Sequence, residues 1–236
     1  MLDIGVVVKN SNFYSRKDLR LARFLEVNGI DTVLDVGAHQ GDYASELLAS
    51  GFEGHIYSFE AQPDLHAGLS ERAAASGKAW TIAPRCAVSD SEGTAQFHVT
   101  AGPSSSSLLP PSETATEMPD IFTVQEVIDV RTRTLDELCD TLGITSERVF
   151  LKLDIQGGEE QALAGAKAMI PRIAGMVVEM PLREYYENQP LLRVLDARIA
   201  EQGFDLWDIE PAWRHPRTGR LDYVDAVYFR PGPGKD

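Results

Sequence analysis

The chain is poor in cysteine and in positive charge. Its 236 residues include only two cysteines, Cys86 and Cys139, and 22 lysines and arginines against 36 aspartates and glutamates. Because the cysteines lie far apart and form no C-x-x-C pair, neither a zinc site nor a disulfide framework is expected. The formal net charge of -14 leaves no basic face for a phosphate backbone, which argues against a nucleic-acid partner. The nearest approach to a basic cluster, residues 214–220, contains a Thr-Gly turn and is typical of a solvated loop.

Long apolar runs are also missing. No segment approaches the roughly 18 consecutive apolar residues of a membrane span. The short apolar run in "MLDIGVVVKN" has no basic region before it and no small-residue cleavage site. We therefore expect a soluble protein that is neither exported nor bound to a membrane, and the few cysteines favour the reducing cytoplasm.

The length and composition suit one domain. A hydrophobic share of 43% lets a chain of this size bury a substantial core, so residues 1–236 are predicted to form a single domain. Within it, residues 1–30 are expected to be an N-terminal helical extension. The composition is compatible with a homo-oligomer and does not decide the oligomeric state.

Short β-rich runs alternate with amphipathic segments from residue 15 onward. This order predicts an α/β fold with a mainly parallel sheet and helices on both faces. The parallel core is expected from five runs, at 32–36, 55–59, within 80–88, 149–155 and 176–180. Further extended runs are expected at 94–100, 127–133, 205–209 and 222–229, the last two forming an antiparallel hairpin. Helices are expected at 17–28, 42–49, from about 63, from the capping box at Thr134 to 142, at 159–169 and at 191–202.

One segment has low complexity. Residues 101–119, "AGPSSSSLLPPSETATEMP", are rich in serine and proline. Such a segment is either a flexible surface loop or a lid that orders over a bound substrate, as long loops of enzymes do.

The stretch "VLDVGAHQGDYA", residues 33–44, predicts a ligand-binding turn between a strand and a helix. Asp35, Gly37 and Gly41 form D-x-G-x-x-x-G, whose glycines let the backbone approach a ligand beside the free N–H groups of the helix. The third, tightly spaced glycine of a dinucleotide site is absent. Asp35 would repel a pyrophosphate but attract a sulfonium or ammonium group, and Glu60, ending the next strand, would accept both ribose hydroxyls. The pair therefore favours S-adenosylmethionine, although each acid alone could simply cap a helix or lie in a solvated turn.

Six blocks in this order resemble the FkbM-type family of S-adenosylmethionine-dependent methyltransferases. They are "VLDVGAHQGDYA", "IYSFEAQPDLHAGL", "CAVSDSEGTAQF", "SSLL", "TLDEL" and "LKLDIQGGEEQALAGA". The resemblance covers roughly residues 31–180, with a looser match at "DAVYFR". It implies a class I methyltransferase fold and methylation of a hydroxyl on a sugar or natural product.

The resemblance also implies which residues bind the cofactor. The methionine side would be lined by Asp35, Gly37, His39, Gly41 and Tyr43, the ribose held by Glu60, and the adenine flanked by Ala87 and Val88. The chain departs from the family at His39, where asparagine is frequent, and at Gln156-Gly157-Gly158, where valine-glutamate-glycine-alanine is common. No acid is therefore available at position 156.

A second pair of carboxylates, Asp154 and Glu179, ends two runs of the predicted parallel sheet. The carboxyl ends of adjacent parallel strands lie side by side, so both could face one cleft. Methyl transfer to an alcohol needs a group that removes the proton, and Asp154 is the first choice for this base, with His39 as the alternative. Both carboxylates together could also hold Mg²⁺. Alternatively, Asp154 caps a helix and Glu179 is a buried acid paired with a neighbour such as Lys152.

Aromatic residues near the C-terminus are expected to divide between core and substrate contacts. Trp207 and Tyr228 are predicted to be core residues. Trp213, in the polar connector of the hairpin, could stack on a flat or sugar acceptor, and Arg214 could bind an anionic group on it.

Two other classes of function remain open at this point. A nicotinamide-dependent oxidoreductase would share the fold, but the missing three-glycine fingerprint counts against it. A non-catalytic nucleoside-binding module would be favoured if Asp154 and Glu179 pointed into the core. The acceptor, a small molecule or a glycan, is not specified by any motif.

Overall fold

A seven-stranded sheet forms the centre of the protein, seen in a computed structural model that describes residues 17–102 and 104–231. Its strands are β1 (Thr32–Val36), β2 (His55–Phe59), β3 (Trp80–Ile82), β7 (Val149–Leu153), β8 (Ile173–Pro181), β9 (Asp205–Arg214) and β10 (Leu221–Phe229). They lie in the order β3-β2-β1-β7-β8-β10-β9. The first five are parallel, and β10 runs antiparallel between β8 and β9. The predicted α/β fold, with a parallel core and a C-terminal antiparallel hairpin, is confirmed.

A second, smaller sheet was not predicted. It consists of β4 (Ala87–Val88), β5 (Gly93–Thr100) and β6 (Val124–Arg133), in the order β4-β6-β5. The extended runs expected at 94–100 and 127–133 belong to its antiparallel pair. The single strand expected within 80–88 is two strands in different sheets. Pro84 lies between them, and a proline has no N–H with which to continue a strand ladder.

Helices cover both faces of the central sheet. They are α1 (Lys17–Val27), α2 (Asp42–Ala49), α3 (Pro63–Ser76), α4 (Pro119–Phe122), α5 (Leu135–Thr141), α6 (Glu159–Ala164) and α7 (Leu192–Glu201), with 3-10 turns at Glu113–Glu117 and Ile170–Arg172. Successive residues of β1 face opposite sides: Val33 packs in the cluster under α1–α3, and Leu34 in the cluster under α5–α7. Residues 1–16 of the predicted N-terminal extension lie outside the described residues.

The predicted helix at 159–169 is wrong at its C-terminal end, because α6 stops at Ala164. At Gly165 the backbone passes so close to the loop after β4 that a Cβ would lie 2.1 Å from the Ser89 carbonyl oxygen. Two following N–H groups, those of Ala168 and Met169, donate to the Asp136 carboxylate instead of continuing the helix. Tertiary contacts thus shorten a segment that local propensity favours.

The serine-rich segment 101–119 packs on the core in the part that the structure describes. Ser107 forms a bridge with His98, and Pro111 forms another with Tyr186. Ala115 is buried in a cluster with Tyr186. That the segment acts as a lid stays a prediction.

Among the residues that the structure describes, no helix combines the length and the apolar character that crossing a membrane requires.

Candidate active site

Two adjoining cavities open at the carboxyl ends of β1, β2 and β7. The first cavity, of about 690 Å³ with its opening to solvent included, is lined chiefly by Gly37, His39, Glu60, Ala87, Val88, Ser106, Leu108, Asp154 and Gln156. The second cavity, of about 970 Å³ with its opening included, is lined chiefly by Arg20, Gly37, His39, Tyr43, Lys152, Asp154, Glu179, Asp208, Glu210 and Asp225. The two share Gly37, His39, Ser104 and Asp154, so these residues mark the junction.

Most of the predicted site residues therefore come together. Glu60, Ala87 and Val88 lie in the first cavity, Tyr43 and Glu179 in the second, and Gly37, His39 and Asp154 at the junction. Ala87 and Val88 form β4 of the small sheet rather than the end of β3. Asp35, Gly41, Trp213 and Arg214 are not among the residues that line either cavity.

Asp35 lies beneath the turn rather than in a cavity. Its side chain is fully buried, accepts a hydrogen bond from the Ser58 hydroxyl (2.9 Å) and lies 3.2 Å from Lys152 Nζ. Burial opposes the charge of Lys152, but attraction to Asp35 and Asp154 outweighs it and raises the Lys152 pKa. Asp35 lines neither cavity and its charge is already neutralised in place, so its contact with the ligand stays a prediction. Lys152 Nζ also donates to the Gly37 carbonyl (2.6 Å), so this pair supports the turn.

The two glycines of the turn allow two different close approaches. At Gly37, where φ is 79°, a Cβ would lie 1.8 Å from the Asp154 carbonyl oxygen. At Gly41, where φ is 84°, it would collide with Leu69 and Trp80. Both angles lie in the left-handed region that glycine tolerates best. Gly37 thus brings the ends of β1 and β7 together at the cavity junction, whereas Gly41 packs the start of α2.

Glu60 presents a fixed carboxylate to the first cavity. Its Oε2 accepts the His39 N–H (2.7 Å), and its Oε1 accepts the Gln62 N–H (2.8 Å). Burial raises the pKa of this carboxyl, and the two backbone donors partly offset that effect. Each oxygen keeps a second lone pair, so the carboxylate can accept hydrogen bonds from a pair of hydroxyls.

Asp154 and Glu179 are joined by an amide that sequence reasoning did not place between them. Gln156 Nε2 donates to Asp154 Oδ1 (2.9 Å) and to Glu179 Oε2 (2.7 Å). Burial, followed by repulsion from Asp154 and Asp225, raises the Glu179 pKa well above its ordinary value. Asp154 points outward, with 39% of its side chain exposed. A non-catalytic nucleoside-binding module would be favoured only if this acid pointed into the core, and it does not. Lys152, named as a partner of Glu179, instead lies near Asp154 (3.6 Å).

The predicted magnesium site is not supported. Across residues 17–102 and 104–231, no group of three or more His, Cys, Asp or Glu side chains is arranged to hold a metal ion. The place between Asp154 and Glu179 is taken by the Gln156 amide, a hydrogen-bond donor that cannot ligate a cation through its N–H groups.

Glu159 shapes the turn that carries Asp154 and Gln156. Its side chain is 1% exposed and accepts hydrogen bonds from the N–H groups of Ile155 and Gly157. Burial raises its pKa to about 7, against the effect of these backbone donors. From the sequence, Glu159 was predicted only to start a helix. No pattern in the sequence indicated that its carboxylate accepts hydrogen bonds from the backbone of the preceding turn.

The second cavity has an acidic wall that sequence reasoning missed. Glu179, Asp225 and Glu210 are register partners on β8, β10 and β9, so their side chains lie on one face of the sheet. Arg20 of α1 forms ion pairs with Asp208 (2.6 Å) and Glu210.

The structure places Trp213 and Arg214 in β9, not in a connector loop. Trp213 is half-buried and packs edge-on against Tyr185 at 5.7 Å, and Arg214 donates to the Gly219 carbonyl. The hairpin connector is shorter than predicted because β9 continues through Pro211 by shifting its register. Tyr228 is a core residue as predicted, whereas Trp207, on the edge strand, is 44% exposed.

Comparison with known proteins agrees with this geometry. The chain is 27% identical over 172 residues to the 2-O-methyltransferase NoeI of Sinorhizobium fredii (strain NBRC 101917 / NGR234), covering 70% of this chain and 69% of that one. Its fold is similar to magnesium protoporphyrin IX methyltransferase (ChlM) from Synechocystis PCC 6803 with bound SAM, with a TM-score of 0.50 and 10% identity over 98% of this chain and 85% of that one. A putative sarcosine dimethylglycine methyltransferase from Galdieria sulphuraria matches with a TM-score of 0.51 and 12% identity, covering 92% and 86%.

These structures share the class I fold of S-adenosylmethionine-dependent methyltransferases. Residues 35–206 match the model of the methyltransferase FkbM domain, which spans the glycine turn, Glu60 and the Asp154–Glu179 pair. The chain therefore belongs to the FkbM methyltransferase family.

Proposed function

We propose that this protein is an S-adenosylmethionine-dependent O-methyltransferase that methylates a hydroxyl of a sugar or of another small molecule. The observation that carries the proposal is the meeting of two cavities at Asp154. One cavity contains Glu60, a carboxylate that can accept hydrogen bonds from the two hydroxyls of a ribose, and the other cavity extends away along the sheet. Family membership and the 2-O-methyltransferase name of the 27% identical relative support it.

The first cavity suits the nucleoside half of the cofactor. Glu60 would hold the two ribose hydroxyls with the free lone pairs of its oxygens, and Ala87 and Val88 would flank the adenine. Gly37 and His39 at the junction, with Tyr43 beyond it, would lie along the methionine half. When bound, S-adenosylmethionine supplies an electrophilic methyl group. The donor set fits this ligand because it combines a buried carboxylate with apolar walls.

Asp154 would act as the base. Its carboxylate lines both cavities and is oriented by Gln156 on one oxygen and by Lys152 near the other. An acceptor hydroxyl placed in the second cavity would give its proton to this carboxylate as the methyl group is transferred. His39, also at the junction, is the alternative base.

The second cavity suits an acceptor with several hydroxyl groups. Its wall carries the carboxylates of Asp208, Glu210 and Asp225, which accept hydrogen bonds from hydroxyls. A sugar offers many such donors. Trp213 and Arg214 are left out of the acceptor site because they line neither cavity.

Ligand-dependent thermal stability tests the cofactor. S-adenosylhomocysteine and S-adenosylmethionine should each raise the melting temperature, because a ligand at about 100 times its dissociation constant adds roughly 2.7 kcal/mol. NAD and NADP are the controls. Stabilisation by a nicotinamide nucleotide alone would contradict the proposal.

Transfer of a labelled methyl group tests the acceptor. The protein is incubated with methyl-labelled S-adenosylmethionine and a panel of neutral glycans, amines and hydroxylated natural products. Label in an ether linkage, located by NMR, is the expected result. Label only on nitrogen would contradict O-methylation.

A further inference from the structure

A single nitrogen atom joins the two carboxylates at the junction of the cavities. Gln156 Nε2 lies within 2.9 Å of both Asp154 Oδ1 and Glu179 Oε2, and each of its two N–H bonds serves one carboxylate. Two carboxylates this close repel one another unless a donor, a cation or a shared proton lies between them. In this chain the amide donates to both, and the raised pKa of Glu179 reflects burial and the repulsion from Asp154 that remains.

The surroundings hold the amide in this orientation. Gln156 Oε1 lies 3.1 Å from the Tyr186 hydroxyl, whose single proton is shared between this oxygen and the nearer Ser105 carbonyl (2.7 Å). If the amide turned over, its carbonyl would face two carboxylates. The Gln156 backbone oxygen accepts the Ser107 hydroxyl (2.7 Å), which fixes the backbone as well.

The backbone at Gln156 carries a conformational cost. Its φ is 57°, in the left-handed region, where a residue with a side chain costs about 1 kcal/mol or more. Glycine or asparagine would adopt this angle more easily. A glutamine that keeps such an angle beside a candidate base, with its amide nitrogen bonded to two carboxylates, points to a use for the side chain.

We infer that the Gln156 amide takes the place of a shared divalent cation between Asp154 and Glu179. Gln156 is then a positioning residue that holds the Asp154 carboxylate toward the acceptor, and methyl transfer by this chain needs no metal ion. That methyl transfer needs no metal ion rests on the proposed function, whereas the position of the amide between the two carboxylates does not. The expectation of a magnesium site at this pair is thereby replaced.

Manganese binding to Gln156→Glu tests the inference without an acceptor. The substitution removes both donors and adds a third carboxylate, which creates the hard oxygen set that divalent cations prefer. In titration calorimetry of the full chain, the variant should bind one Mn²⁺ about tenfold or more tightly than the wild type. Gln96→Glu is the matched control, because Gln96 is exposed on β5 and the change in charge is the same. It should bind Mn²⁺ like the wild type.

A second variant, Gln156→Ala, tests the inference if Gln156→Glu does not fold. Without the amide between Asp154 and Glu179, this variant should bind Mn²⁺ more tightly than the wild type and less tightly than Gln156→Glu. Its methyl transfer should fall about tenfold or more, and Mg²⁺ or Mn²⁺ should restore part of the rate. S-adenosylhomocysteine binding, measured in parallel, should fall less than methyl transfer, since Glu60 keeps both of its backbone donors although Gln156 lines the same cavity.

Several results would overturn the inference. They are wild-type binding of Mn²⁺ as tight as that of both variants, inactivation of the wild type by a chelator, or a Gln156→Ala variant whose activity no cation restores. A purely structural role would lower the melting temperature and S-adenosylhomocysteine binding together, without rescue. Failure of the proposed function is distinguishable, because the wild type would then neither bind S-adenosylhomocysteine nor transfer a methyl group.

Discussion

Lys152 Nζ lies 3.2 Å from Asp35 Oδ1, across two parallel strands in which these residues are register partners. Both side chains are buried, and the same ammonium group donates to the Gly37 carbonyl. An acid that looked like a ligand contact is therefore half of an internal ion pair that fixes the turn. In the proposed function, this pair would act on the cofactor site through the Gly37 backbone rather than by touching the ligand.

Lys152→Met should destabilise the protein by about 3–5 kcal/mol, because it leaves the buried charge of Asp35 without its partner. Urea unfolding measures the free energy. The double variant Asp35→Asn with Lys152→Met should recover a large part of the loss, since the fully buried charge of Asp35 is removed with its partner and only the partly exposed Asp154 loses a neighbouring cation. A loss below about 1 kcal/mol for Lys152→Met would show that the pair contributes little.

Gly37→Ala should prevent the two strand ends from meeting. The new Cβ would lie 1.8 Å from a backbone oxygen, which cannot move aside as a flexible side chain can. We expect that the variant either does not fold, as measured by circular dichroism, or no longer binds S-adenosylhomocysteine, as measured by calorimetry. Gly29→Ala is the matched control, because its φ is also positive, at 63°, and a Cβ there meets nothing within 4 Å. It should cost only about 1 kcal/mol, and an equal loss in both variants would refute the steric argument.

Glu60→Gln should weaken S-adenosylhomocysteine binding by about ten- to a hundredfold, because hydrogen bonds to a charged acceptor contribute about 1.5–3 kcal/mol. An amide also offers only one accepting oxygen. Calorimetric titration gives the dissociation constant. The control, Asp64→Asn, removes an exposed acid at the start of the following helix and should leave affinity unchanged. Unchanged affinity in Glu60→Gln would remove Glu60 from the ribose site.

Glu159 should make stability fall as pH rises. Its folded-state pKa is raised from 4.5 to about 7, so ionisation costs the folded protein more than the unfolded chain. The stability that protonated Glu159 contributes to the folded protein is complete below about pH 4.5. It is lost as the pH rises through 7, and the free energy of unfolding then falls by on the order of 3 kcal/mol. Urea unfolding at pH 5 and at pH 8 measures this loss. From pH 5 to pH 8, the free energy of unfolding should fall less in Glu159→Gln than in the wild type.

The exposed Glu53→Gln is the control for that comparison and should follow the wild type at both pH values. Parallel losses in the wild type and Glu159→Gln would show that Glu159 does not titrate in this range.

The order of the elements followed from local patterns. Alternating apolar runs and capping signals predicted the parallel core and the closing hairpin, and the glycine spacing predicted the ligand turn. Such patterns depend on near neighbours in the chain, where propensity and period decide. The small sheet escaped prediction because β4 has only two residues and pairs with the end of β6, at Thr132 and Arg133, more than forty positions later in the chain.

The acids show where that kind of prediction ends. Asp35, within β1, and Glu60, directly after β2, look alike in the sequence, but one meets Lys152 across the sheet and the other accepts backbone N–H groups at a cavity. The partner of a charge depends on strand order and register, which are set by residues far away in the chain. By itself the sequence determined the fold class, the turn and the acids at the strand ends. Only the tertiary structure decided which acid is neutralised in the interior, which one faces the cavity, and that an amide joins Asp154 to Glu179.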